Sequence, residues 1–342
     1  MALGAAKRLD RIEIDKPGFS SKTGSWANGS VNDVSRLWVH SRAVGSRQQL
    51  KDLHRPRNII SLVTIFVDFL SIFLMVALVT YWSFVWVLPA LVVIGSRQRA
   101  LVVLAHDAAH YALLSRRFWN DAVARWILCA PMLMSFDKFR SMHLAHHINL
   151  GDPDHDTDFL HSEVGIKAGW LNVFLETALC FDNWIVSGLL GDFVMKSQAV
   201  WKYSVTVWAT ILTALVAIFG SQFTCVFLLL WVASRATIYH LIISFVIISD
   251  HVGLYPERVI IGFARNHSRV GLFRHLIHPH NNGFHLTHHL LPGLPWHALG
   301  KADKILLLWP DYSEAAHCDS YFWGLNSAIK SWTRSSDKIA EE

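Results

Sequence analysis

Four stretches of the chain stay apolar for about the 20 residues that a helix needs to cross a bilayer: Ile59 to Val79, Trp82 to Ala105, Val205 to Phe223 and Val226 to Ile248. They fall into two pairs, and the short connections, around Thr80 to Tyr81 and around Thr224 to Cys225, carry no charge. The pattern predicts two transmembrane hairpins. A fifth apolar stretch, Trp170 to Leu190, is broken by Glu176, Asp182 and Asn183 and would either cross the membrane or lie flat on it. Crossing would put the histidine clusters that flank it on opposite sides. Because those clusters are expected to act together, the stretch is predicted as an amphipathic helix at the interface. Ahead of the first span, residues 20–30 (SSKTGSWANGS) read as a flexible loop and Val31 to Leu53 as a short helical region. The expected fold is an all-α integral membrane protein, with four transmembrane helices in two hairpins under a cytosolic helical cap. Its divisions are a cytosolic segment at 1–58, a membrane domain at 59–309 and a cytosolic tail at 310–342.

Composition supports the membrane reading. Of the 342 residues only 17% are charged, against roughly 25% in ordinary soluble domains, and the mean hydropathy is +0.31. Of 31 Lys and Arg residues, 11 precede Ile59, eight lie between His106 and Ser204, nine follow Ile248 and three sit inside proposed spans, as Arg97, Arg99 and Arg235. None lies in a hairpin tip. By the positive-inside rule both termini and the central segment face the cytoplasm. The net charge of +5 is not gathered into a basic tract interleaved with aromatics, so nucleic acid is not an expected partner. The amino terminus lacks the apolar core of a secretory signal, leaving insertion to internal segments.

The chain contains 20 histidines, most of them in short clusters. Directly after the second span comes His106-Asp-Ala-Ala-His110, whose i, i+4 spacing puts both rings on one helix face. His143-Leu-Ala-His146-His147 and His285-Leu-Thr-His288-His289 follow, and His251 ends the fourth span. One such pair is weak support for metal binding. Three clusters on one membrane face are a different matter, because histidine is a poor apolar filler and clustered imidazolium ions repel. Eight or nine nitrogen donors exceed the capacity of one ion, so two metals are expected, with Fe, Zn and Cu all suited to imidazole. Carboxylates that orient the rings and offset the charge are expected at Asp107, at Asp250 and in the run from Gly151 to Asp158, Asp154 above all, with Asn282 alongside. The acidic run around Asp154 also reads as a solvated turn. The four cysteines include no CxxC pair, so neither a zinc ribbon nor a disulfide framework is indicated.

Taken together, the three boxes, their order between two hairpins and the wording His280-Asn-Asn-Gly-Phe-His-Leu-Thr-His-His-Leu-Leu-Pro-Gly-Leu-Pro295 resemble the membrane fatty acid desaturase superfamily. The resemblance covers roughly Ile59 to Trp309. It implies a cytosolic di-iron centre that oxidises an acyl chain held in a tunnel, using O2 and two electrons. The ligands it implies are His106, His110, His143, His146, His147, His285, His288 and His289, with His251 matching an extra histidine of many members. Box three opens on His285 rather than Gln, and no HPGG haem motif occurs, so the chain does not look like a front-end desaturase. The segments Gly95 to His110 and His278 to Pro295 are similar to bacterial desaturases of the rhizobitoxine pathway, whose substrate is an amino-acid derivative. A bacterial inner membrane is the expected location.

An unactivated C–H bond resists acid–base chemistry, so the metal must supply the oxidant. The chain has no GxGxxG loop, flavin motif or iron–sulfur cysteine set, which leaves electron delivery to a separate ferredoxin or cytochrome b5. Within the spans, Asp68, Arg235 and His240 are expensive to bury. Arg235 or His240 is expected either to face the substrate tunnel or to be satisfied between helices. His278 and His280 read as polar loop residues near the site, and His155, His161, His267, His275 and His297 carry no motif. Desaturation is favoured over hydroxylation by the resemblance. A metal-binding receptor or transporter is disfavoured, because transport sites belong at mid-membrane.

Overall fold

The computed structural model describes residues 25–159, 169–192, 198–254, 259–267 and 271–333. Helix α1 (Ser25–Ala43) takes in residues 25–30, where a loop was predicted, and α2 (Arg47–Leu53) follows it. The first hairpin pairs α3 (Asn58–Tyr81) with α4 (Val87–Ala109). Its turn is set by Ser83, whose side chain accepts the Val85 N–H at 3.3 Å and caps the short coil that leads into α4. An ion pair, Arg97 to Asp68 at 2.9 Å, ties the two helices inside the span. His280 Nε2 lies 2.7 Å from the other oxygen of Asp68, so this histidine braces a helix rather than serving a loop.

After α4 come α5 (Arg117–Val123), which widens into a π-type turn over Ala124–Cys129, and α6 (Phe136–Ile148). The apolar stretch at Trp170–Leu190 forms α7 (Trp170–Ala178) and α8 (Phe181–Trp184, widening over Ile185–Leu190), bent against each other by 59°. It does not cross the membrane as a full span. If it did, the end of the last span would lie on the side opposite α4 and α6, whereas the histidines of all three meet.

The third apolar element, α9 (Gln198–Ser234), continues through a widened turn at Arg235–Tyr239 into α10 (His240–His251). It is two spans, because Gly220 breaks the helix at φ +82° and the chain folds back. Trp208 consequently packs on Phe227 and Trp231, with centroids 6.3 and 5.5 Å away, although these residues follow it by several helical turns. The predicted tip at Thr224 to Cys225 therefore lies a turn earlier. Glycine is suited to that point, since its missing Cβ permits positive φ. Against the first hairpin, Phe227 stacks on Phe73 and Phe223 on Tyr81; such pairs contribute about 0.5–1.5 kcal/mol each beyond their area. At Gly95 the α4 backbone touches the turn at Arg235–Tyr239 so closely that a Cβ would sit 2.7 Å from Ile238 Cβ. Small residues permit such approach between spans.

The cap is helical as well. It comprises α11 (Val259–Phe263), α12 (Arg274–Ile277), α13 (His285–Leu290), α14 (Trp296–Leu306), α15 (Pro310–Ser313) and α16 (Ala328–Ser331). Leu37 of α1 and Leu50 of α2 join Leu286 and Leu290 of α13 in one apolar core. Trp332 and Tyr321 pack on Phe245 and Ile248 of α10 in another. Segments from both flanks thus build the cap, and packing does not break at residue 58 or 309.

Candidate metal centre

Nine histidines bring one ring nitrogen each into two compact groups, every donor lying within 4.8 Å of the others in its group. The first holds His106, His110, His143, His147 and His288; the second holds His146, His251, His285 and His289. Helical spacing explains the division. On α6, His143 and His147 share a face and enter the first group, while His146, turned about 60° from His143 on the side away from His147, enters the second. On α13 the arrangement is reversed, with His285 and His289 in the second group and His288 in the first. The groups are adjacent, for the His147 and His289 rings lie 4.4 Å apart.

Nε2 atoms face one another throughout. His143 Nε2 is 2.8 Å from that of His110 and 3.0 Å from that of His147, which is 3.0 Å from His288 Nε2. In the second group His285 Nε2 is 2.8 Å from His251 Nε2 and 3.0 Å from His289 Nε2. The outward nitrogens show which atoms carry protons. His251 Nδ1 must donate to the Phe263 carbonyl at 2.7 Å, and His146 Nδ1 donates to Asp156 at 2.6 Å. In the neutral ring a proton on Nδ1 leaves a lone pair on Nε2. Lone pairs therefore converge on a shared point, an arrangement that suits a cation and is repulsive without one. The donor set fits metal ions of the type that imidazole binds.

Electrostatics agree. Burial holds His143, His147, His285, His288 and His289 well below the usual imidazole range, and each neighbouring ring adds to the effect. His110 is pushed down to about 4 by burial, then by the charge of Arg140. The rings are neutral and ready to ligate at physiological pH. His146 differs. Burial pushes it down, but its contact with Asp156 and the nearby carboxylate charges outweigh burial and raise it.

Behind the second group, Asp250 is surrounded by imidazoles: His285 Nδ1 at 3.7 Å, His267 Nε2 at 3.5 Å and His278 Nε2 at 3.6 Å. Tyr321 fixes His278 through a 2.6 Å contact to Nδ1. A buried polar network sets the orientation of α13. Asn266 donates to Thr287 Oγ1, to Asp303 and to the Tyr312 hydroxyl at 3.2, 3.1 and 2.6 Å, and Tyr312 donates to Asp303 at 2.7 Å.

A fatty acid desaturase family model matches residues 81–319, well over half of the chain. The chain belongs to the fatty acid desaturase family. It is also similar to the dihydrorhizobitoxine desaturase of Bradyrhizobium elkanii, 27% identical over 290 residues that cover 79% of this chain and 81% of the relative. Histidine clusters able to hold metals are typical of the di-iron desaturases, and the apolar spans are those of an integral membrane protein.

The supporting residues differ from expectation. Asp154 is exposed and makes no contact with a histidine among the described residues, its backbone N–H donating to Asp152; the carboxylate that reaches a ring is Asp156, turned inward by the same loop. Asp107 accepts the Trp296 N–H at 2.7 Å and lies 3.8 Å from His106 Nδ1, too far for a hydrogen bond, so it joins α4 to α14. Asn282 contributes a backbone N–H to Pro279 and no side-chain contact among the described residues. Arg235 donates to the Met132 carbonyl at 2.6 Å. His240 is used at both nitrogens, by Ser187 at 2.6 Å and the Ala178 carbonyl at 2.8 Å. Both therefore brace helices instead of opening onto a tunnel. His278 lies near the site as expected, and His267, which carries no motif, joins it beside Asp250 through its position in the fold; His161 lies outside the described residues.

Proposed function

We propose that the protein is an O2-dependent di-iron desaturase that introduces a C=C bond into an acyl chain or an acyl-like, amino-acid-derived substrate. The convergence of nine histidine ring nitrogens into two adjacent groups is the observation that carries this reading. A pair of iron ions bound there would supply, with O2 and two electrons from an external ferredoxin or cytochrome b5, the oxidising power that no side chain has. The chain's own residues do the rest. His106, His110, His143, His147 and His288 would hold one ion, and His146, His251, His285 and His289 the other. Asp156 and the Phe263 carbonyl keep the protons of His146 and His251 on Nδ1, leaving Nε2 free to bind. Asp250 offsets positive charge beside His285. The apolar walls of α3, α4 and α10 exclude water and present the chosen carbon. The boxes and both termini would face the cytosol, as the distribution of Lys and Arg requires.

The relative named above acts on dihydrorhizobitoxine by its name, and that supports a small polar substrate as an alternative to a lipid chain. Mass spectrometry of lipids and polar metabolites from cells with and without the protein tests the proposal. Loss of two hydrogens from one compound is expected. Gain of an oxygen would make it a hydroxylase, and an unchanged profile with the electron donor present would refute catalysis.

A further inference from the structure

Three arginines lie inside the spans, and the structure treats them unequally. Arg97 is paired with Asp68 and also donates to the His275 carbonyl at 2.8 Å. Arg235 donates to Met132. Arg99 has no hydrogen bond and no ion pair among the described residues, although only 7% of it is exposed and its Nε is sealed without a partner. A buried guanidinium in this state is strongly destabilising, and a cationic metal centre nearby would make it more so. Such a group calls for an anion.

Its position indicates which one. Arg99 precedes His106 by seven residues, two turns of α4, so both lie on the same face with about 10 Å between their backbones along the axis. Its charge acts on His106 and His278 as well as on Tyr239, which is itself buried at the contact between α4 and the last span. Asp250, the carboxylate whose charge acts on Arg99, is already shared by three imidazoles. Two turns of α4 ahead of His106, the Arg99 guanidinium is thus a buried planar fork of N–H donors with no hydrogen-bond partner among the described residues, the geometry that carboxylates match.

We propose that Arg99 binds a carboxylate of the substrate. This inference rests on the desaturase reading of the site and deepens it: the substrate is a small aliphatic acid, such as an amino-acid derivative, oxidised a few bonds from its own carboxylate. An acyl chain whose carboxyl is esterified, and whose reacting carbon lies deep in hydrocarbon, offers Arg99 nothing.

Calorimetric titration of the full-length, metal-loaded protein in nanodiscs, kept anaerobic so that no turnover occurs, tests the site with hexanoate and L-norleucine against their methyl esters. At least one acid should bind tenfold or more tightly than its ester. Arg99→Gln should remove that preference, and Arg99→Lys, which keeps the charge and loses the fork, should retain part of it. Equal affinity of acids and esters, or an unchanged preference in Arg99→Gln, would overturn the proposal. If Arg99→Gln loses its metal or unfolds, the comparison of acid with ester in the unaltered protein still decides. Acids that bind while nothing is dehydrogenated would refute the desaturase reading and leave this anion site standing. Dehydrogenation of an esterified lipid chain with a KM indifferent to Arg99→Gln would do the reverse.

Discussion

The two histidine groups do the same job in different surroundings. All four rings of the second group are buried; His146 and His251 donate through Nδ1 to Asp156 and the Phe263 carbonyl, Asp250 lies 3.7 Å from His285 Nδ1, and His289 Nδ1 has no hydrogen-bond partner among the described residues. In the first group His106, His110 and His147 are only partly buried, and His106 Nδ1 has no partner. One site is orientated by the fold around it and the other mainly by its own helices. The lesson is that identical sequence motifs, since box two and box three each feed both groups, can yield one stiff site and one adaptable one.

Direct loss of a ligand should break both groups. His285→Ala in the second and His110→Ala in the first should each lower bound metal from two ions toward one per chain. Product formation should fall by more than the roughly 100-fold that loss of a supporting hydrogen bond costs. Elemental analysis beside product mass spectrometry checks this, and full metal content in either variant would remove that residue from the ligand set.

Asp156→Ala separates the groups. It removes the acceptor of His146 Nδ1 and should weaken metal binding at the second group by about 10–100-fold, leaving the first unchanged. Chelator competition measures the two affinities. Equal weakening of both would mean that the groups are one coupled unit.

Acid sharpens the comparison in the metal-free protein. His110 titrates at about 4 when folded and near 6.5 when free. Between those values the unfolded chain takes up a proton that the folded chain refuses, so stability is complete above about pH 6.5 and falls as pH drops toward 4. His143, His147 and His288 act in the same direction. His146 opposes them, for its raised value lends stability at low pH that is lost as pH rises through it. The melting temperature of the apoprotein should fall by about 5 °C or more between pH 7 and 5, as differential scanning fluorimetry would register. A rise would contradict the neutral-ring account.

The smallest effect belongs to Asp154→Asn. Because Asp154 is exposed, stability should stay within about 0.5 kcal/mol of the parent and metal content should not change, in contrast with Asp156 two residues on.

Much of the fold is legible in the chain because hydrophobic length reports spans and uncharged connections report hairpins. The i, i+3 and i+4 histidines report shared faces because helical geometry requires it. The partners of those rings were not legible. Asp154 and Asp156 sit in one acidic turn, and only the path of the loop decides which points inward. Arg235 and His240 look costly in sequence; the first is satisfied by the Met132 carbonyl and the second by Ser187 and the Ala178 carbonyl, which the bend between α7 and α8 brings near. Arg99 looks the same as Arg97 in sequence, yet only Arg97 has a carboxylate beside it. The role of Tyr312 and Tyr321 depends on a carboxyl-terminal segment that folds back into the cap, which no local pattern announces.

On the proposed reading the nine rings hold a pair of iron ions. X-ray absorption at the iron edge, on detergent-solubilised protein with its metal quantified, tests it most directly. The account predicts two irons per chain, each in a coordination shell dominated by imidazole nitrogen with no sulfur. A single ion, a metal other than iron, or a shell built from carboxylate or thiolate would contradict it.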